Sequence, residues 1–145
     1  MAESLKGLKK TKSKNETRKK DVVRITKRVL TSCAADVMNT ALESIKNKGT
    51  GRVYERYNPR RSHQASAPDM PPATDTGFLG QNISMNVKTR SDGAVVAQIV
   101  SAAPYSKALE YGTTEIHQRP FMRPALTKNR RNINRKFRNA NLIKK

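Results

Sequence analysis

Between Thr17 and Lys48, apolar residues return every three or four positions: Val22, Ile25, Val29, Cys33, Val37, Ala41 and Ile45. That spacing predicts one helix of about nine turns. Leu30, Ala34, Met38 and Leu42 widen the stripe into a face that a second layer has to cover. Gly49 and Gly51 follow, residues suited to the end of a helix. Cys33 lies on the stripe and reads as a small core residue rather than a nucleophile. As the single cysteine, it also excludes an internal disulfide and fits a protein made in the cytosol.

The rest of the chain supplies the cover. "RVYERY" (52–57) alternates as a short strand, and "NISMNVKT" places Ile83, Met85 and Val87 opposite Ser84, Asn86 and Lys88. "RSDG" is a turn and "AVVAQIV" the returning strand, which predicts an antiparallel hairpin. Between the strands, residues 58–76 are rich in Pro, Ser and Ala without a period. A loop that long in a compact domain is usually functional or mobile. "PYSKALEY" reads as a short helix with Gly112 as its stop, and Pro124 opens a last helix with Leu126, Ile133 and Phe137 as its apolar seam. The expected fold is α+β: a long N-terminal helix on a small antiparallel sheet, with a long Pro-rich loop and a basic C-terminal helix. At 145 residues this is one domain over 17–138, with a flexible basic arm at 1–16 and a basic tail at 139–145.

Charge is concentrated at the two ends. The chain carries 30 Lys and Arg against 11 Asp and Glu, net +19. Residues 1–28 hold 11 basic and 3 acidic side chains, and residues 116–145 hold 10 basic and none acidic. The stretch between is nearly neutral. Cationic ends on a balanced middle point to a polyanion or an acidic protein surface. The N-terminus lacks the apolar block of a secretory signal, and no apolar run approaches the roughly 18 residues that cross a bilayer.

Catalytic signatures are weak. His63 and His117 are too few for a metal site, and the scattered glycines form no phosphate cradle. "DTG" at Asp75-Thr76-Gly77 resembles the aspartic-protease triplet, but "PPAT" precedes it and Phe78 follows. A turn shaped by Asp75 and Thr76, with Gly77 in a strained conformation, is the better reading. Zinc-finger spacings and base-stacking aromatic pairs are also missing, so a sequence-independent electrostatic contact is the most the basic ends support.

Four short motifs then occur in a fixed order: Ser66-Ala67-Pro68 with Pro71-Pro72-Ala73; Thr76-Gly77-Phe78-Leu79; Tyr105 with Leu109-Glu110-Tyr111-Gly112-Thr113; and Arg119-Pro120-Phe121-Met122-Arg123-Pro124-Ala125. Together they resemble the head–tail joining, or tail-completion, proteins of long-tailed bacteriophages. The resemblance spans roughly residues 49–126. Ser106 and Asp69 depart from the usual Ala and Gly, and the basic N-terminal arm stands outside the pattern.

The resemblance implies a non-enzymatic virion component, without cofactor or metal, assembled as a ring at the neck with sixfold symmetry expected. Its implied partners are further copies of itself, a head connector or stopper protein, and a tail-tube or tail-terminator protein, with no membrane. Arg60, Arg61, Ser66, Pro68, Pro71, Pro72, Tyr105, Glu110, Thr113, Arg119 and Phe121 are the candidate assembly residues. Lys9, Lys10, Lys12, Lys14, Arg130, Arg131 and Arg135 are candidates for contact with genomic DNA in the lumen or with an acidic partner. The alternative is a basic, sequence-independent nucleic-acid-binding protein. Phe121, fixed between two prolines, is expected to anchor the last helix in the core or at an interface.

Overall fold

The computed structural model describes residues 2–57 and 60–142, and of residues 2–9 and Arg56 the backbone alone. Its elements in order are α1 (Ala2–Lys46), β1 (Val53–Tyr57), β2 (Arg60–Gln64), α2 (Phe78–Gln81), β3 (Ile83–Thr89), β4 (Val95–Ser101), α3 (Ser106–Tyr111) and α4 (Met122–Asn139). The α+β class is as expected.

The helix starts at Ala2 rather than Thr17, so the basic arm expected to be flexible is helical from residue 2 to 16. Its Lys, Glu, Leu and Ala residues have high helix propensity, and no proline interrupts them. At 1.5 Å per residue, the 45-residue α1 is about 68 Å long. Its second half alone carries the core. Val37, Ala41 and Ile45 are buried there with Leu79, Ile83, Ala103, Phe121 and Ala125, and Met38, Leu42, Ile99, Leu109, Met122 and Ile133 pack around them.

β3 and β4 form the predicted antiparallel hairpin, in a register that opposes Ile83 to Ser101, Met85 to Ile99 and Val87 to Ala97. Asp92 Oδ1 accepts from the Ala94 N–H (2.8 Å) and steadies the turn. α1 lies across both strands and also along α4. The single sheet expected from the sequence is in fact two, because β2 occupies part of the predicted loop and pairs only with β1. The base of this second hairpin closes through Gly51 N–H to the Ala65 carbonyl (2.8 Å) and Ala65 N–H to the Arg52 carbonyl (3.0 Å). Gly49 is needed at this closure, since a Cβ there would run into the carbonyls of Gln64 and Ala65. The loop then returns, and the Thr74 N–H donates to the Ile45 carbonyl (3.0 Å), one of the acceptors left open at the end of α1.

α4 differs from its expected seam. Leu126 is exposed (54%), and Ala125 is buried in its place. The face toward α1 is largely polar: Asn129 Nδ2 donates to Thr40 Oγ1 (2.8 Å), Asn132 Nδ2 to Asp36 Oδ2 (2.6 Å), and Lys136 Nζ to Asp36 Oδ2 and Ser32 Oγ (both 2.6 Å). Apolar periodicity cannot register such a face. Of the basic tail expected at 139–145, residues 143–145 lie outside the described residues. Before them α4 closes with Asn141 at φ 55°, Asn141 N–H on the Arg138 carbonyl and Leu142 N–H on the Phe137 carbonyl, a Schellman-type end.

Candidate functional site

The segment from Tyr105 to Ala125 carries two of the four motifs, and its geometry explains their composition. α3 ends at Gly112, whose φ of 74° a side chain would resist. Thr113 Oγ1 then accepts from the Ile116 N–H (3.1 Å) and Thr113 N–H donates to the Ile116 carbonyl (2.9 Å), forming a tight reversal. The chain runs back along α3, with Arg119 N–H donating to the Leu109 carbonyl (2.6 Å). It enters α4 at Phe121, which is 1% exposed.

The start of α4 is closed from a distance. Glu110 Oε2 accepts from the Phe121 and Met122 N–H groups (2.9 and 3.0 Å), and Oε1 accepts from Arg123 N–H (2.8 Å). The next residue, Pro124, has no N–H to satisfy. One carboxylate thus meets every open donor of the first turn, and its charge suits the positive end of the helix dipole. Arg123 adds its guanidinium to Glu110 Oε1 (3.4 Å) and lies 5.2 Å from the centre of the Tyr111 ring. Glu110, only 6% exposed, therefore serves inside the subunit and is not available to a neighbour. Phe121, Ser66 and Pro72 are likewise buried.

Ser66, Pro72, Tyr105 and Arg119 from the candidate list do come together. They line an open cleft of about 450 Å³ with His63, Asp75 and Phe78, between β2, the loop 65–77 and α3. Phe78 and Tyr105 pair at its rim, centroids 6.2 Å apart, each 45% exposed. Asp75 is held by Arg61 (3.1 Å) with His63 at 4.0 Å, and Thr76 Oγ1 accepts from Phe78 N–H. With Gly77 at φ 80°, "DTG" is a turn, as its flanks indicated. Two polar atoms in the cleft, Ser66 Oγ and Arg119 Nε, are buried without hydrogen-bond partners. Buried polar groups are rarely left so unless something else satisfies them.

Next to the cleft stands the β1–β2 hairpin. Val53, Tyr54 and Tyr57 are 55%, 51% and 80% exposed, and Arg60 and Arg61 are exposed as well. Pro68 and Thr113 are surface residues outside the cleft, and Pro71 is half-buried. The candidate charge contacts lie elsewhere. Lys10, Lys12 and Lys14 on α1 and Arg130, Arg131 and Arg135 on α4 are all exposed, while the side chain of Lys9 lies outside the described residues.

Among the described residues no group of three or more His, Cys, Asp or Glu could hold a metal ion. No described helix is long and apolar enough to cross a membrane. Sequence reading missed the Glu110 cap because its partners lie eleven to thirteen residues away, beyond any local capping pattern. It missed the unfilled polar atoms because burial has no sequence signal for Ser or Arg.

Comparison with known proteins adds one finding. The sequence model of the HK97-gp10-like family, described as a candidate tail component of bacteriophage HK97-gp10 type, matches residues 9–112. No curated protein and no solved structure matches the chain. The family match begins at residue 9, so most of the basic first half of α1 falls within it, where motif resemblance alone had left that segment outside. Covering well over half of the 145 residues, the match shows that the chain belongs to the HK97-gp10-like family of bacteriophage tail components.

Proposed function

We propose that the chain is a non-enzymatic structural protein of the virion neck, where copies form a homo-oligomeric ring that joins the head connector to the tail. The β1–β2 hairpin carries this reading. A two-stranded hairpin is marginal alone in water, and this one exposes nearly every residue, including Tyr54 and Tyr57. Among the described residues neither of its edges pairs with a further strand. A neighbouring copy supplies the missing cover. Such a head-to-tail contact uses two different patches per subunit and closes into a ring, for which sixfold symmetry is the expectation at the neck.

In this reading the cleft beside the hairpin is the second patch. Phe78 and Tyr105 at its rim offer exposed apolar cover to an incoming chain. The connector or stopper protein on one side and the tail tube or terminator on the other are the remaining partners.

The test is a chain with Tyr54→Ser and Tyr57→Glu. The monomer should melt within a few degrees of the parent, because neither residue reaches the core. Ring formation with neck partners, and tail attachment to filled heads, should both be lost. A variant that assembles normally, or a map of the virion neck without this density, overturns the reading.

A further inference from the structure

α1 and α4 run antiparallel, and this merges two charge clusters that are remote in sequence. Along their seam Thr40 meets Asn129, Asp36 meets Asn132, and Ser32 meets Lys136. Each step toward the end of α4 is a step toward the beginning of α1. The C-terminal end of α4, with Arg135 and Arg138, therefore lies at the end of the core from which the basic half of α1 projects. Arg24, Lys27 and Arg28 on one helix and Arg131, Arg135 and Arg138 on the other are all exposed. Of the acids near this surface, Asp36 is engaged by Lys136 and Asn132, and Asp21 by Arg24 (2.9 Å). Asp92, which lies beside Arg18 and Lys19, is engaged by the Ala94 N–H. Glu16 is exposed between Lys12 and Lys20 and leaves the basic residues in clear excess.

We infer that the projecting half of α1 and the outer face of α4 form one continuous cationic surface that holds the phosphate backbone of duplex DNA, without reading its sequence. Two observations favour nucleic acid over an acidic protein. First, residues 9–21 contain no apolar side chain, and residues 10–20 are exposed on every side of the helix. A protein interface needs a desolvated apolar centre, whereas a phosphate backbone needs only cations and the counterions they release.

Second, the helix places like charges one turn apart in two series, Lys10, Lys14, Arg18 and Lys20, Arg24, Arg28. Such i,i+4 repulsion weakens a helix and is relieved by a polyanion along it. Residues 10–28 span about 28 Å, which matches roughly eight base pairs of duplex. The surface belongs to the single chain, so the inference does not depend on the ring.

Fluorescence anisotropy of the full chain with labelled 24-base-pair duplexes of two unrelated sequences tests this between 50 and 300 mM salt. Both sequences should bind equally, with a log–log salt slope of about −0.9 for each phosphate neutralised. Lys10→Gln/Lys12→Gln/Lys14→Gln and Arg131→Gln/Arg135→Gln/Arg138→Gln should each weaken binding at least tenfold at 100 mM salt and flatten the slope by about two to three. Circular dichroism should show the parent's helicity rising with DNA and unchanged melting for both variants.

The inference fails if binding is absent at 50 mM salt, if the α4 variant binds like the parent, or if polyglutamate competes for the protein as well as an equal charge of unlabelled duplex. The same variants, tried in assembly, separate the two readings. Variants that lose DNA binding yet form rings normally would show that the DNA surface is separate from the ring contacts. A parent chain that forms rings but binds no DNA would reject this surface and leave the neck role standing.

Discussion

The two halves of α1 are one continuous helix governed by different physics. From Val29 to Lys46 it is held by packing. Cys33, Ala34, Val37, Ala41 and Ile45 are buried, and the small alanines let neighbouring elements approach closely. From Lys10 to Lys20 every side chain is exposed, and the helix rests on intrinsic propensity and on being the extension of a fixed rod. Continuity of secondary structure is thus not continuity of stability. The packed half determines the fold, and the projecting half is free to be selected for charge.

The sharpest way to break that contrast is at the core. Phe121→Ala should cost about 3–5 kcal/mol in urea unfolding, because a fully buried ring leaves a cavity where α1, α2 and α4 converge. Lys12→Ala on the projecting half should stay within about 0.5 kcal/mol. If the two substitutions cost similar amounts, the division of α1 is wrong.

Next in size is the cap of α4. Glu110→Gln keeps the volume but turns an amide donor toward N–H groups that are themselves donors. Loss of charged hydrogen bonds of this kind should cost about 2 kcal/mol. Hydrogen exchange should quicken at Met122 and Arg123, with α1 unaffected. Unchanged exchange there would mean that water takes over as the acceptor.

What was legible in the sequence divides along the same line. The packed half of α1, the β3–β4 hairpin and the burial of Phe121 follow from apolar spacing and proline placement, which are local signals. The α4 seam was misplaced onto Leu126 because Asn129, Asn132 and Lys136 pack through hydrogen bonds to residues some ninety to a hundred positions away. Glu110, counted among the assembly residues, turned out to hold the start of α4 for the same reason. The helical form of residues 2–16 was obscured by their charge, which suggests disorder when no rod is known to continue into them. Ser66, Pro72, Tyr105 and Arg119 are spread over separate motifs, and only the folded chain brings them to one cleft.

A smaller effect is expected where α1 meets α4. Asp36→Asn removes the charge facing Lys136 while keeping an acceptor for Asn132. Both partners are about a third exposed, so solvent screens the pair, and the loss should be about 1 kcal/mol, shrinking further in high salt. A salt-independent loss would show that the seam depends on the hydrogen-bond geometry of Asp36 rather than on its charge.

The finest comparison places one thiol in each half. Burial pushes the Cys33 thiol above its ordinary value of 9.0, Lys136 pulls it down less strongly, and Asp36 adds a further upward push. Cys33 therefore stays protonated and shielded at pH 8, and a disulfide reagent should modify it only as fast as the core opens. In a Lys12→Cys variant the new thiol, exposed among cations, should react at least a hundredfold faster, giving two separable phases. Because the folded state holds the Cys33 proton more tightly than the unfolded chain, its contribution to stability is present below pH 9 and is lost as pH rises through the folded value. Cys33 modification should accelerate in that alkaline range while the Lys12→Cys phase changes only with its own thiolate fraction. Two phases with the same rate at pH 8 would mean that the packed half of α1 opens as readily as the projecting one.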